Sequence, residues 1–217
     1  MDDAGYNAAM RIYAAVGASL GWFALALQLY LMLVQSPAGL VAMLGSVITY
    51  ASFFTFLTNL LVALVFTASV FPRAGWAKFF CHPSVQAGTA AYIAIVGIVY
   101  RLLLRQLWNP QGAQWVADVL LHDVIPVGYV VYWLLFAPRA GLRCKDAVAW
   151  LAYPAVYLVY VLARGAVSGL YPYPFVDVNV LGYGGVLVHA AVFLLVFLGM
   201  GLLVLAVGRW TRRRSPA

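Results

Sequence analysis

Six long apolar stretches take up most of this 217-residue chain, and nothing else in it constrains the fold so strongly. They run from about Ala8 to Val34, Leu40 to Val70, Val85 to Leu107, Trp115 to Phe136, Val148 to Val167 and Gly184 to Val207. Each approaches or exceeds the ~20 residues that carry an α-helix across the hydrocarbon of a bilayer. Only 9% of the residues are charged, against roughly 25% in a soluble domain. A core in water cannot bury this much apolar surface at this length, so lipid takes part of it. The expected fold is all-α: one domain over residues 1–217, a single bundle of six transmembrane helices.

The charges orient the bundle. Arg11, Arg73, Lys78, Arg139, Arg143, Lys145, Arg209, Arg212, Arg213 and Arg214 fall on one side if both termini and the second and fourth connections share it. Only Arg101, Arg105 and Arg164 fall on the other, each near the end of a span. Cytoplasmic loops hold the Lys/Arg excess, so both termini are expected inside. The net charge of +7 therefore reports topology, and no basic face interleaved with aromatics points to nucleic acid. Asp2 and Asp3 precede the first span where a cleavable leader would carry basic residues, so that span is expected to stay. Cys81 and Cys144 form no CxxC and no spaced framework, which supports neither a disulfide scaffold nor a zinc site. Between the fifth and sixth spans, residues 168–185 are rich in Pro, Gly and aromatics. Pro172 and Pro174 exclude a regular helix there, leaving either a lid over the outer mouth or a re-entrant piece.

Polar side chains are expensive in hydrocarbon, so the few inside the spans need explaining. Thr55, Thr58 and Asn59 lie within one turn of the second span and share a face. They either hold helices together by hydrogen bonds or do chemistry. His122 lies in the fourth span with Asp118 four residues before it, on the same face, and Asp123 about 100° away. A histidine steadied by a carboxylate is what a general base requires; a histidine packed on a backbone carbonyl is the alternative. Arg101 and Arg105 share a face of the third span. They pair with Asp118, Asp123 or Asp177, bind an anionic headgroup, or snorkel to the interface. Arg164 has the same choice with Asp177. His189 and His122 are too few for the layered histidines of a two-haem bundle, and the chain has no HExxH, GxSxG, P-loop or GxGxxG. No cofactor and no metal is expected.

The stretches FFTFLTNLL (Phe53 to Leu61) and LHDVIP (Leu121 to Pro126), in a six-span layout, resemble the androgen-induced protein family, which includes the androgen-dependent regulator of tissue factor pathway inhibitor. RGAVSGLYPYPFVDV (Arg164 to Val178) resembles its bacterial branch of six-span proteins. The animal members are membrane-embedded threonine hydrolases that cleave fatty acid esters of hydroxy fatty acids. The resemblance implies a Thr nucleophile at Thr55, with Thr58 as a competing register, and a His base at His122. It also implies a fatty acyl ester drawn from the membrane lipids as substrate and the inner membrane of a bacterium as location. Asp118 or Asp123 would steady the imidazolium, and Asn59 or Arg101 would donate to the oxyanion. Asp123 and Val124 depart from the family's pattern beside the histidine.

A straight second span sets a geometric obstacle. At 1.5 Å per residue, Thr55 lies about 20 Å below its start, and His122 only about 10 Å below the start of the fourth span. Two other readings use the same residues: a small-molecule transporter or channel with the polar cluster as its binding site, or a non-catalytic lipid-binding protein.

Overall fold

The computed structural model describes residues 3–214, and the side chains of residues 4–211. The side chains of Asp2, Asp3, Arg212, Arg213 and Arg214 therefore lie outside the described residues. Helix makes up 82% of the chain, with no strand among the described residues. Five segments are long and apolar enough to cross a bilayer: Ala4–Val34, Pro83–Leu107, Ala113–Leu135, Cys144–Ser168 and Val178–Thr211. A sixth is counted if Leu40–Tyr50 and Phe54–Val70, two helices bent by 74°, form one broken span. The chain is an integral membrane protein, because so apolar a set of helices has no other solvent.

Contacts divide the chain into two compact units, meeting at Gly141 and Leu142. The first holds α1 (Asp3–Val34), α2 (Leu40–Tyr50), α3 (Phe54–Val70), the short α4 (Ala77–Phe80) and α5 (Pro83–Val99). A π-helical turn at Tyr100–Leu104 and a 3-10 turn at Arg105–Leu107 extend α5. Next come α6 (Ala113–Val119), a second π turn at Leu120–Val124 and α7 (Ile125–Leu135). The start of α5 follows from local chemistry: Pro83 occupies its first position and His82 Nδ1 accepts from Ser84 N–H at 3.3 Å.

The unit is held together by aromatic residues with polar tips. Phe66 sits edge-on to Tyr129 and Tyr132, with ring centroids 5.3 Å and 5.1 Å away. Tyr132 Oη donates to Ser69 Oγ at 2.8 Å, Tyr129 Oη to the Gln86 carbonyl at 3.2 Å, and Tyr13 Oη to the Gly128 carbonyl at 2.8 Å. In hydrocarbon an unpaired phenol would cost several kcal/mol, so each ring's position is fixed by its partner as well as by packing. Trp22, near the middle of α1, donates its indole N–H to Thr67 Oγ1 at 3.1 Å.

The expected continuous second span, Leu40 to Val70, is broken. Ala51–Phe53 separate α2 from α3, although the break contains neither Pro nor Gly. Ser52 Oγ bonds back to the Ile48 carbonyl at 2.7 Å, and the N–H groups of Ser52 and Phe53 reach carbonyls three residues back instead of four. Back-bonding of this kind bends helices. Tyr50 then pins the corner by donating to the Leu25 carbonyl of α1 at 3.0 Å.

The second unit holds α8 (Cys144–Ala149), α9 (Ala152–Ser168), a 3-10 turn at Pro174–Val176 and α10 (Val178–Arg214). Asp146 Oδ2 caps α8 by accepting from Arg143 N–H at 2.6 Å. Pro154 has no N–H for the Trp150 carbonyl, which accounts for the turn between α8 and α9. Gly169, at φ 71°, ends α9 in the left-handed conformation that favours glycine. Gly182, at φ 65° and ψ 167°, interrupts α10, so its long continuous part starts beside the expected Gly184.

The segment between the last two spans is not one regular helix: a 3-10 turn at Pro174–Val176 lies within it. It folds back on its own unit, with the Tyr171 ring against Gly165, where a Cβ would not fit. Asn179 Nδ2 donates to the Gly169 carbonyl at 2.9 Å. Of the two thiols, Cys144 is exposed while Cys81 is half-buried, and burial pushes the Cys81 thiol up.

Candidate functional site

The break between α2 and α3 removes the depth obstacle. Thr55 is not far along a straight span but at the second position of α3, two residues after the extended Phe53. Partial positive charge from the aligned peptide dipoles of this 17-residue helix gathers there. Asn59, one turn on, is fully buried. Its amide nitrogen donates to the Thr55 carbonyl at 2.9 Å and to the Leu121 carbonyl at 3.1 Å. One side chain thus joins the Thr55 turn to the turn that carries His122.

The Leu121 carbonyl needs that donor for a reason written in the local sequence. In the second π turn the Ile125 N–H goes to the Leu120 carbonyl, five residues back. The residue five beyond Leu121 is Pro126, which has no N–H. Leu121 is therefore left without an intrahelical partner, and Asn59 supplies one. Gly97 of α5 lets the helices come this close: a Cβ there would lie 3.2 Å from the His122 carbonyl oxygen and 3.3 Å from Pro126 Cβ.

His122 Nδ1 lies 3.0 Å from the Asp118 carbonyl oxygen and 3.2 Å from Asp118 Oδ1. A carbonyl can only accept, so Nδ1 carries a hydrogen, and in the neutral imidazole the acceptor nitrogen is Nε2. Asp118 is 2% exposed. Its other oxygen accepts from Tyr100 Oη at 2.5 Å, and the Trp108 indole N–H donates to that same Oη at 3.2 Å. The Tyr100 ring stacks on the His122 imidazole, with centroids 3.7 Å apart and planes 14° from parallel. The imidazole is therefore fixed by one hydrogen bond and one ring face, both provided by buried groups. π-Helical turns are rare and concentrate at functional sites; here two adjacent ones carry Tyr100, Arg101, His122 and Asp123.

The remaining candidates separate clearly. Asp123 points away from the imidazole and takes Arg101 Nε at 2.6 Å, in a pair whose arginine side chain is 53% exposed. With Asn59 donating to two carbonyls and Arg101 bound to Asp123, the two side chains expected to serve an oxyanion are both engaged in holding the fold. Thr58 is fully buried, whereas Thr55 is only partly so. Asp177 belongs to the second unit, where Oδ1 accepts from Asn179 N–H at 2.9 Å. Arg164 donates there to the Leu170 carbonyl at 3.2 Å, and His189 Nδ1 meets the Phe175 carbonyl at 3.3 Å.

Tyr100 and Trp108 are the participants that sequence reasoning missed. A signal for Tyr100 existed: α5 and α6 turn about Trp108–Gly112, so Tyr100, about eight residues before the turn, and Asp118, about six after it, come to similar depths and meet across it. An apolar groove of about 650 Å³ runs between α1, α3 and α7, lined by Tyr13, Val16, Leu20, Phe66, Val124 and Ile125. The last two residues directly follow His122 and Asp123.

No family model matches the chain, and no curated protein or solved structure matches it either.

Proposed function

We propose that this protein is an intramembrane hydrolase of lipid-like esters, with Thr55 as nucleophile and His122 as general base. The observation that carries the reading is the Asn59 clamp, which ties the Thr55 turn to the turn of a histidine whose Nδ1 is held on the Asp118 carbonyl. A threonine hydroxyl is a poor nucleophile unless a base takes its proton as it attacks. In the proposed reaction Thr55 Oγ attacks the ester carbonyl carbon and its proton passes to His122 Nε2. The carbon–oxygen bond to the alkoxy group then breaks, and that group leaves with the proton from His122. Water repeats the sequence and releases the acid. Asp118 stabilises the imidazolium, and the N-terminal end of α3 favours the negative oxygen. The apolar groove beside Val124 and Ile125 suits an acyl chain taken from the bilayer. The resemblance in the Thr55 and His122 stretches names fatty acid esters of hydroxy fatty acids as the substrate class. It also supports a bacterial inner membrane as the location, and the arginine distribution supports an orientation with both termini in the cytoplasm.

The test is covalent labelling of the purified protein with a fluorophosphonate, followed by peptide mapping. The phosphonyl group is expected on Thr55, and Thr55→Ala is expected to abolish it. Labelling that survives Thr55→Ala, or none in folded protein, rejects the reading.

Pro126→Ala gives a second check. It supplies an N–H five residues beyond Leu121, so the turn can satisfy its own carbonyl and shift the imidazole against Tyr100. Thermal stability is expected to hold or rise. Labelling is expected to slow by about 10²-fold, the usual cost of a misplacement near 1 Å. Unchanged labelling means that the π turn does not position His122.

A further inference from the structure

A polar cavity of about 410 Å³ lies at the turn between α5 and α6, bounded by Tyr100, Arg105, Trp108, Asn109, Gln111 and Trp115. Its size is in the range of small-ligand sites, roughly 300–1,000 Å³. Arg101 and Arg105 stand one turn apart on the same span, but their circumstances differ. Arg101 is neutralised by Asp123. Arg105 makes no ion pair with a carboxylate among the described residues, and it lines the cavity. An unneutralised guanidinium at the end of an apolar span, between two tryptophans, sits where the headgroup layer of a bilayer meets its hydrocarbon.

We infer that this cavity binds the oxyanion of a membrane amphiphile, a carboxylate or phosphate at the end of an acyl chain. The planar guanidinium donates two parallel N–H bonds to either group. Trp108 and Trp115 pack against the first carbons of the chain, and Asn109 and Gln111 offer further donors from their side-chain amides. The chain itself runs into the bilayer beside the third span. This site is separate from the apolar groove between α1, α3 and α7. It touches the candidate base only through Tyr100, which lines the cavity and stacks on His122. The inference does not require the protein to be a hydrolase, and binding to Thr55→Ala protein tests it apart from any turnover.

Native mass spectrometry in an uncharged detergent measures the binding of oleate, oleoyl lysophosphatidate and oleyl alcohol to that protein. Arg105→Gln is expected to weaken the anionic ligands by tenfold or more and to leave the alcohol unchanged. Arg73→Gln, on the connection after α3, is expected to change nothing, and circular dichroism checks that the helix content is intact. If only one anion depends on Arg105, that anion identifies the source, a free fatty acid or a phospholipid. Equal affinity of both anions for the wild type and Arg105→Gln overturns the inference. So does oleyl alcohol that binds as tightly as oleate.

Discussion

His122→Ala is expected to slow fluorophosphonate labelling of Thr55 by about 10³–10⁴-fold, near the upper end of what a general base contributes. Asp118→Asn is expected to cost much less, about 10–100-fold. Where a carboxylate alone orients a catalytic imidazole, its amide replacement costs about 10⁴ because the wrong tautomer results. In this protein the backbone carbonyl of Asp118, 3.0 Å from Nδ1, sets the tautomer, and it survives any substitution of the side chain. Only the electrostatic support of the imidazolium is lost, because the amide oxygen can still accept from Tyr100 Oη. Pseudo-first-order labelling rates for the two variants make the comparison. If Asp118→Asn matches His122→Ala, the carboxylate and not the carbonyl holds the ring. If His122→Ala labels at the wild-type rate, the base lies elsewhere.

The second large effect is on stability. Asn59→Leu keeps the branched skeleton of four side-chain heavy atoms, and the main difference is in hydrogen bonding. The buried Leu121 carbonyl loses its donor, at about 1–3 kcal/mol for an orphaned group, while the Thr55 carbonyl loses one of two and keeps the Asn59 backbone N–H of the helix. One gain offsets this: Asn59 Oδ1 is itself a buried acceptor without a hydrogen bond among the described residues, and leucine removes it. One full and one partial loss against one relief leave a net destabilisation of about 1 kcal/mol. Pro126→Ala supplies an N–H that Leu121 can use, so the same Asn59→Leu change should cost about 1 kcal/mol less in that background. Thermal unfolding of the two single variants and the double variant closes the cycle. Additive losses show that Asn59 and Pro126 do not share the Leu121 carbonyl.

The contrast between these residues and the rest of the chain shows what could be read beforehand. Span three was expected over Val85 to Leu107 and occupies Pro83–Leu107; span four was expected over Trp115 to Phe136 and occupies Ala113–Leu135. Apolar run length fixes these limits directly, since water ends a span wherever polar residues accumulate. The bend at Ala51–Phe53 was not legible, because Ser52 breaks the helix through a hydrogen bond to Ile48, and serine elsewhere sits quietly in helices. Missing it created the false depth difference between Thr55 and His122. The pairing of Arg101 was open among three carboxylates, and geometry selected Asp123.

The sequence alone determined the solvent, the number of apolar segments and the short set of polar residues that hydrocarbon makes costly. Tertiary structure alone decided which of them meet. It made Asn59 a clamp between two backbone carbonyls, set Tyr100 against His122, and left Arg105 beside a cavity while Arg101 was neutralised. The physical reason is one of range. Hydrophobicity sums along the chain and can be read in any window, whereas a hydrogen bond depends on a few tenths of an ångström and a direction, set by helices brought together from distant parts of the chain.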